Sequence, residues 1–199
     1  MGNCSTRIDR RASAAGFSLV DVLLTVAILA VFAAVALPTA RPLDSVRVDV
    51  AAQETANALR WARSEAMRRG SLLDSAGTRM VGVDLSTSTN HVRVSDYSGY
   101  ARGALMTNPV DKKAYDLDLA NGTATAGVVV STLTFTNQAA ASVGPTVVFD
   151  ANGNPWQYNV GGVPSATSAL ASAIVVLAYG NQTRTVTLES TGRVVVSGG

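Results

Sequence analysis

Phe17-Ser18-Leu19-Val20-Asp21-Val22-Leu23-Leu24-Thr25-Val26-Ala27-Ile28-Leu29-Ala30-Val31-Phe32-Ala33-Ala34-Val35-Ala36-Leu37 decides how the rest of the chain reads. The run is about 21 residues of almost unbroken apolar sequence, and its one charge is Asp21. As a helix rising about 1.5 Å per residue it reaches roughly 30 Å, the thickness of one bilayer core. Nothing breaks it before Pro38. Ahead of it lies a polar leader with Arg7, Asp9, Arg10 and Arg11, then the small residues Ala12 to Gly16. A secretory signal places a shorter apolar region before its small-residue cleavage site. Here the order is reversed, so a cut after Gly16 removes the leader and keeps the anchor. The expected division is residues 1–16 as leader and 17–40 as a transmembrane and polymerisation helix, with Pro38 as a helix break.

Outward from this span, residues 41–70 form the next expected segment. Leu43, Val46, Val50, Ala58, Leu59, Ala62 and Ala66 recur at roughly helical spacing and predict an amphipathic helix. Arg68 and Arg69 suit its last turn, and Gly70 suits a left-handed cap. With the apolar run this gives one long helix, bent or loosened around Pro38 to Pro42. From residue 71 to 199 the pattern becomes β-like. Strands are expected at Met80–Leu85, His91–Ser95, Val128–Thr136, Thr146–Asp150, Trp156–Val160, Ala173–Tyr179, Arg184–Glu189 and Arg193–Ser197. Gly180-Asn181 fits a tight hairpin and Ser190-Thr191-Gly192 a three-residue one, so the last three strands read as a meander. Residues 96–126, rich in Gly, Asn and Asp, are expected as a long loop or insertion. The fold class is α+β: a long N-terminal helix packed on an antiparallel β-sheet domain.

Composition narrows the function. Of 199 residues, 47% are hydrophobic and only 15% charged, which suits a secreted β-rich domain better than a cytosolic enzyme. The net charge of +2 belongs to the leader. Removing Arg7, Arg10, Arg11 and Asp9 from 16 basic and 14 acidic residues leaves 13 of each. The one cysteine, Cys4, also lies in the leader, so no disulfide forms within the chain. His91 is the single histidine, which disfavours a transition-metal site. Asp150-x-Asn152-x-Asn154 begins like a calcium loop, but Pro155 and Gly161 stand where that loop needs Gly and Glu. A polar turn is expected there, and Asp111, Asp116 and Asp118 read as solvated charge. Neither a Gly-x-Ser-x-Gly elbow nor a phosphate loop is present. Trp61 and Trp156 read as packing residues. No enzyme activity, cofactor or metal is expected.

Gly16-Phe17-Ser18-Leu19-Val20-Asp21-Val22-Leu23-Leu24 resembles the processing site of type IV prepilins and type II secretion pseudopilins. The resemblance implies cleavage after Gly16 by a prepilin peptidase and N-methylation of Phe17. It implies that the acid at the fifth mature position meets the N-terminal amine of a neighbouring subunit during assembly. That position is normally Glu; here it is Asp21, one methylene shorter. A carboxylate in a membrane helix costs about 2.5–3.5 kcal/mol on insertion scales, so it persists only with a purpose. Leu59 to Gly70, Val148 to Pro155 and Val186 to Val194 resemble the helix end and strand-turn elements of the GspH/FimT group of minor pseudopilins. The implied protein is a minor pilin or pseudopilin of a type II secretion or type IV pilus-like filament, structural in tip assembly or initiation. Its implied location is the bacterial inner membrane, single-pass, with the globular domain periplasmic or extracellular. Its partners would be other pilin-like subunits, the peptidase and the membrane. The alternative is a DNA-binding minor pilin of natural transformation. That branch carries a C-terminal Gly-Arg-x-Arg, where this chain has Gly192-Arg193-Val194-Val195. Arg184 and Arg193, expected on one side of adjacent strands, are then the candidate DNA contacts.

Overall fold

The computed structural model describes residues 18–36, 42–70, 80–98, 101–137, 145–158 and 167–198. The chain divides into two compact units, Met1–Arg41 and Pro42–Gly199, each described by itself.

The first unit carries helix α1, Leu19–Ala36. Ser18 begins it as an N-cap: its Oγ accepts from the Val20 amide at 3.3 Å and its carbonyl from the Asp21 amide at 2.9 Å. α1 has 18 residues, about 27 Å of helix. Among the described residues no helix is long and apolar enough to cross a membrane. Leu37 and Pro38 lie outside the described residues.

In the second unit, helix α2 spans Pro42–Arg69 and ten strands follow: β1 (Met80–Leu85), β2 (His91–Ser98), β3 (Ala101–Leu105), β4 (Asp116–Asp118), β5 (Val129–Asn137), β6 (Thr146–Phe149), β7 (Pro155–Tyr158), β8 (Thr167–Tyr179), β9 (Gln182–Glu189) and β10 (Val194–Gly198). Their order is β10-β9-β8-β7-β6-β1-β2-β3, with β4 on β2 and β5 on β8. Every pairing is antiparallel. β8 is 13 residues long because it serves two neighbourhoods. Its first residues pair with β7, and from Leu170 onward it pairs with β5 and β9. The meander β8-β9-β10 turns at Gly180 and Gly192, both with positive φ.

α2 buries Val48, Ala51, Ala52, Thr55, Ala56, Leu59, Ala62 and Ala66, one stripe at helical spacing. The expected stripe is therefore corrected at its start. Val46 is exposed, and Val48 takes the buried place because it lies in phase with Ala52, Thr55, Leu59 and Ala66. Alanines on this face bring the helix axis close to the sheet. There it meets the alternate residues Val81, Val83 and Leu85 of β1 and Val186 and Leu188 of β9. A second cluster, Met80, Tyr97, Val148 and Tyr158 with Trp156 against it, packs separately, Tyr97 and Tyr158 meeting edge to face at 5.7 Å. Both sides of β1 are covered, and even its one charge, Asp84, is buried, where it pairs with Arg102 and accepts from the Thr146 hydroxyl.

Residues 96–126 are not the loop expected from sequence. They complete β2 and form β3, an isolated Thr107–Ala114 bridge and β4. Met106, Tyr115 and Leu119 enter the main core, and Tyr115 stacks on Trp61 of α2 at 5.2 Å. Apolar residues are sparse here because each turn of chain supplies one anchor rather than a strand's worth.

Candidate functional site: the α1 start and the turn cluster on α2

Gly16 and Phe17, the expected cleavage and methylation residues, lie outside the described residues. Asp21 is in the first turn of α1 with an exposed side chain. An acid there suits the positive end of the helix dipole, worth about 0.3–1 kcal/mol. Around it Leu19, Leu23, Leu29 and Phe32 are each more than half exposed within the chain. α1 is thus an apolar rod with one acid at its start, and nothing among the described residues of its own unit covers it.

In the second unit the structure joins three stretches that lie far apart in sequence: the end of α2, the turn at Asp150–Gly153 and the turn at Ser190–Gly192. Arg63 holds them together. Its Nε donates to the Gly153 carbonyl at 3.0 Å and its Nη1 to the Gly192 carbonyl at 3.2 Å. One turn of helix earlier, Arg60 donates to the Val194 carbonyl at 3.2 Å. Gly153 and Gly192 are both buried with φ 77°, and neither has room for a side chain. A Cβ on Gly153 would stand 2.7 Å from Arg63 Nε, and one on Gly192 would stand 2.4 Å from the Gly153 carbonyl oxygen. The Asp150 turn is closed by its own carboxylate, whose Oδ1 accepts from the Asn152 and Asn154 amides at 2.9 and 2.8 Å. Its other oxygen accepts from Asn154 at 3.1 Å and from the Trp156 indole at 3.4 Å. The calcium-like spacing is a polar turn, as expected.

The arginine-rich helix end is only partly a solvated face. Arg68 and Arg69 both bind Glu65, at 2.5 and 2.7 Å, and Arg69 also reaches Asp96 at 2.8 Å. Hydrogen bonds from Arg68, aided by Arg69 and opposed by partial burial, hold the Glu65 carboxyl down at about 2. Gly70 closes the helix with φ 64°.

Arg184 and Arg193 are not side by side. Arg184 stands opposite Gly198 and Arg193 opposite Glu189, five residues along the hairpin and about 17 Å apart. Arg184 also turns to α2, where its Nε meets Asp49 at 2.5 Å. The hairpin register separates them, and the ion pair engages the one cation that strand alternation left beside the helix.

Among the described residues no group of three or more His, Cys, Asp or Glu is placed to hold a metal ion. His91 sits half-buried on β2 with Nδ1 2.5 Å from Asp116, which Arg93 also binds at 3.0 Å. Asp118 spends its carboxylate on the Ala120 and Asn121 amides. A cleft of about 440 Å³ lies between α2 and this region, and Glu54 is on its wall. Burial pushes the Glu54 carboxyl above its usual range. Burial, with Glu54 and Asp111 adding, pushes the Tyr115 phenol up to about 12. Sequence reasoning missed Arg63, Glu54 and Tyr115. The available signal was two glycines ending polar turns, each needing a donor for its carbonyl.

No family model and no curated protein matches the chain. Among solved structures, that of the minor pseudopilin EpsH from the type 2 secretion system of Vibrio cholerae is similar over 76% of this chain and 97% of that one, at 13% sequence identity and a TM-score of 0.48.

Proposed function

We propose that the chain is a pilin-like structural subunit, without enzymatic activity, whose apolar segment 17–40, of which α1 is the described part, anchors it in the bacterial inner membrane and then polymerises it into a filament. The observation that carries the reading is α1: apolar on all sides, uncovered by the described residues of its own unit, with one acid in its first turn. Lipid covers such a helix before assembly and neighbouring helices cover it afterwards. The Gly16-Phe17 junction supplies the amine that Asp21 of a neighbouring subunit would meet, and Asp and amine together remove the cost of a lone charge in lipid. The Pro42–Gly199 domain is then what the filament displays, in a tip or initiation role beside other pilin-like subunits. The spacing of Arg184 and Arg193, and the Asp49 pair, give the DNA-uptake reading no shared cationic surface.

The test is N-terminal mass spectrometry of the chain expressed in bacteria with and without a prepilin peptidase. The expected product begins at N-methylated Phe17 only when the peptidase is present, and Gly16→Val blocks it. A mature chain beginning elsewhere overturns the reading. Asp21→Ala should be processed normally yet fail to enter sedimentable filaments.

A further inference from the structure

Two neighbouring features of the second unit have no counterpart among its described residues. The first is the hairpin tip of residues 108–113. It is held rigid: the Asn108 amide donates to the Lys113 carbonyl at 2.8 Å, the Lys112 amide to the Asn108 carbonyl at 3.0 Å. Asn108 Oδ1 accepts from the Val110 amide at 2.9 Å, and Asp111 Oδ1 from the Lys113 amide at 3.1 Å. At the apex Val110 is 87% exposed, more than any other large apolar side chain among the described residues. Lys112 and Lys113 flank it, exposed, with no ion pair among the described residues. A preordered apolar tip costs little entropy to dock.

The second is the cleft beside it, walled by Glu54, Asp111, Leu117 and Ala124. Its other acids are occupied: Asp116 by Arg93 and His91, Asp118 by turn amides. Glu54 is half-buried and forms no ion pair or hydrogen bond among the described residues. A carboxylate in that position gains from a cation brought to it. Asp111 belongs to both features, so the basic apolar tip and the acidic cleft lie side by side on one face. Adjacent complementary patches suit a two-fold contact, in which each copy both gives and receives.

We propose that this face joins two copies of the chain reciprocally, the tip of each seated in the cleft of the other. Val110 meets Leu117 and Ala124, and Lys112 and Lys113 approach Glu54. A six-residue tip on each side buries far less than the roughly 800 Å² per partner of a stable complex, so the pair is weak and reversible. A two-fold contact closes on itself and does not extend a polar filament. The proposal therefore concerns the unassembled subunit and is independent of the filament reading.

Sedimentation velocity of the full chain in detergent, over a hundredfold concentration range, tests it by charge exchange. Lys112→Glu/Lys113→Glu and Glu54→Lys should each be monomeric where the wild type dimerises. Their equimolar mixture should recover association, since glutamates on one tip now face a lysine in the other cleft. Near-UV circular dichroism checks that each variant is folded. Should Glu54→Lys fail that check, Val110→Asp replaces it and should be monomeric. A wild type that stays monomeric throughout overturns the proposal. So do folded variants that dimerise like the wild type, which would place the contact on α1, and a mixture of folded variants that stays monomeric.

Discussion

Replacing Arg63 by Ala removes two hydrogen bonds from one guanidinium to the carbonyls of Gly153 and Gly192. Hydrogen bonds to a charged group are worth about 1.5–3 kcal/mol each. Both bonds are only partly buried and water replaces some of what is lost, so about 2–4 kcal/mol is expected in total. For a domain of this size each kcal/mol moves Tm by about 2–4 °C, which puts the fall at about 4–16 °C. Arg63→Lys should recover little, because a single ammonium does not span two carbonyls as a planar fork does. The glycines sharpen the test. Gly153→Ala carries the cost of a positive φ, about 1 kcal/mol, plus a clash with the Arg63 and Met67 side chains. Deleting Arg63 relieves much of that clash, so Arg63→Ala and Gly153→Ala should be strongly non-additive. Gly192→Ala clashes first with the Gly153 backbone, so its cost should persist in the Arg63→Ala background. Urea unfolding of the three single and two double variants, followed by near-UV circular dichroism, gives the coupling energies. An Arg63→Ala cost below about 0.5 kcal/mol, the level of an ordinary surface substitution, would refute the clamp, as would additivity with Gly153→Ala.

Glu65 gives a pH signature. Its carboxyl is held down at about 2 in the folded chain, so its contribution is present above the unfolded value near 4.5 and is lost as pH falls toward 2. After allowance for solvent screening beside the exposed Arg68, Glu65→Gln should cost about 1 kcal/mol at pH 7 and nothing near pH 2, as read from urea midpoints. Glu54 has the opposite sign: its raised pKa means the folded state resists ionising it. Glu54→Gln should therefore raise the urea midpoint of dilute protein at pH 8 and leave it unchanged at pH 3. Tyr115→Ala removes the stack on Trp61 and an almost fully buried ring. It should cost about 3 kcal/mol and red-shift the tryptophan emission. Unchanged stability would mean that the 96–126 segment is not anchored there.

What the sequence made legible follows from which forces act locally. α2, Gly70, the β8-β9-β10 meander and both hairpin turns rest on periodicity and glycine chemistry, which a short window contains. β1 was read to the residue because Met80, Val81, Val83 and Leu85 are apolar and the polar turn that begins at Ser86 ends it. The start of β8 at Thr167 escaped because Thr-Ser-Ala-Leu-Ala-Ser carries neither alternation nor strong β formers; its partners β7 and β5 make it a strand. β3 and β4 are defined by pairing with β2 rather than by their own residues. Arg184 illustrates the limit for sites. Strand alternation places its side chain on one face, but that Asp49 waits there depends on how α2 lies across the sheet. The proposed junction at Gly16-Phe17 lies outside the described residues and rests on a linear motif alone.

One consequence of the 13-residue strand β8 concerns the order in which the domain is made. α2 rests its alanine-lined face on strands that include β8, β9 and β10, the latest of the described strands to be synthesised, and β8 also connects with β7 and β5. Such long-range pairings form late and slowly. A chain broken off before Thr167 would leave its helix resting on β1 and its neighbours alone, and its remaining strands without a hinge. Proteases would find it open, so a subunit closes only once β8, β9 and β10 have been made.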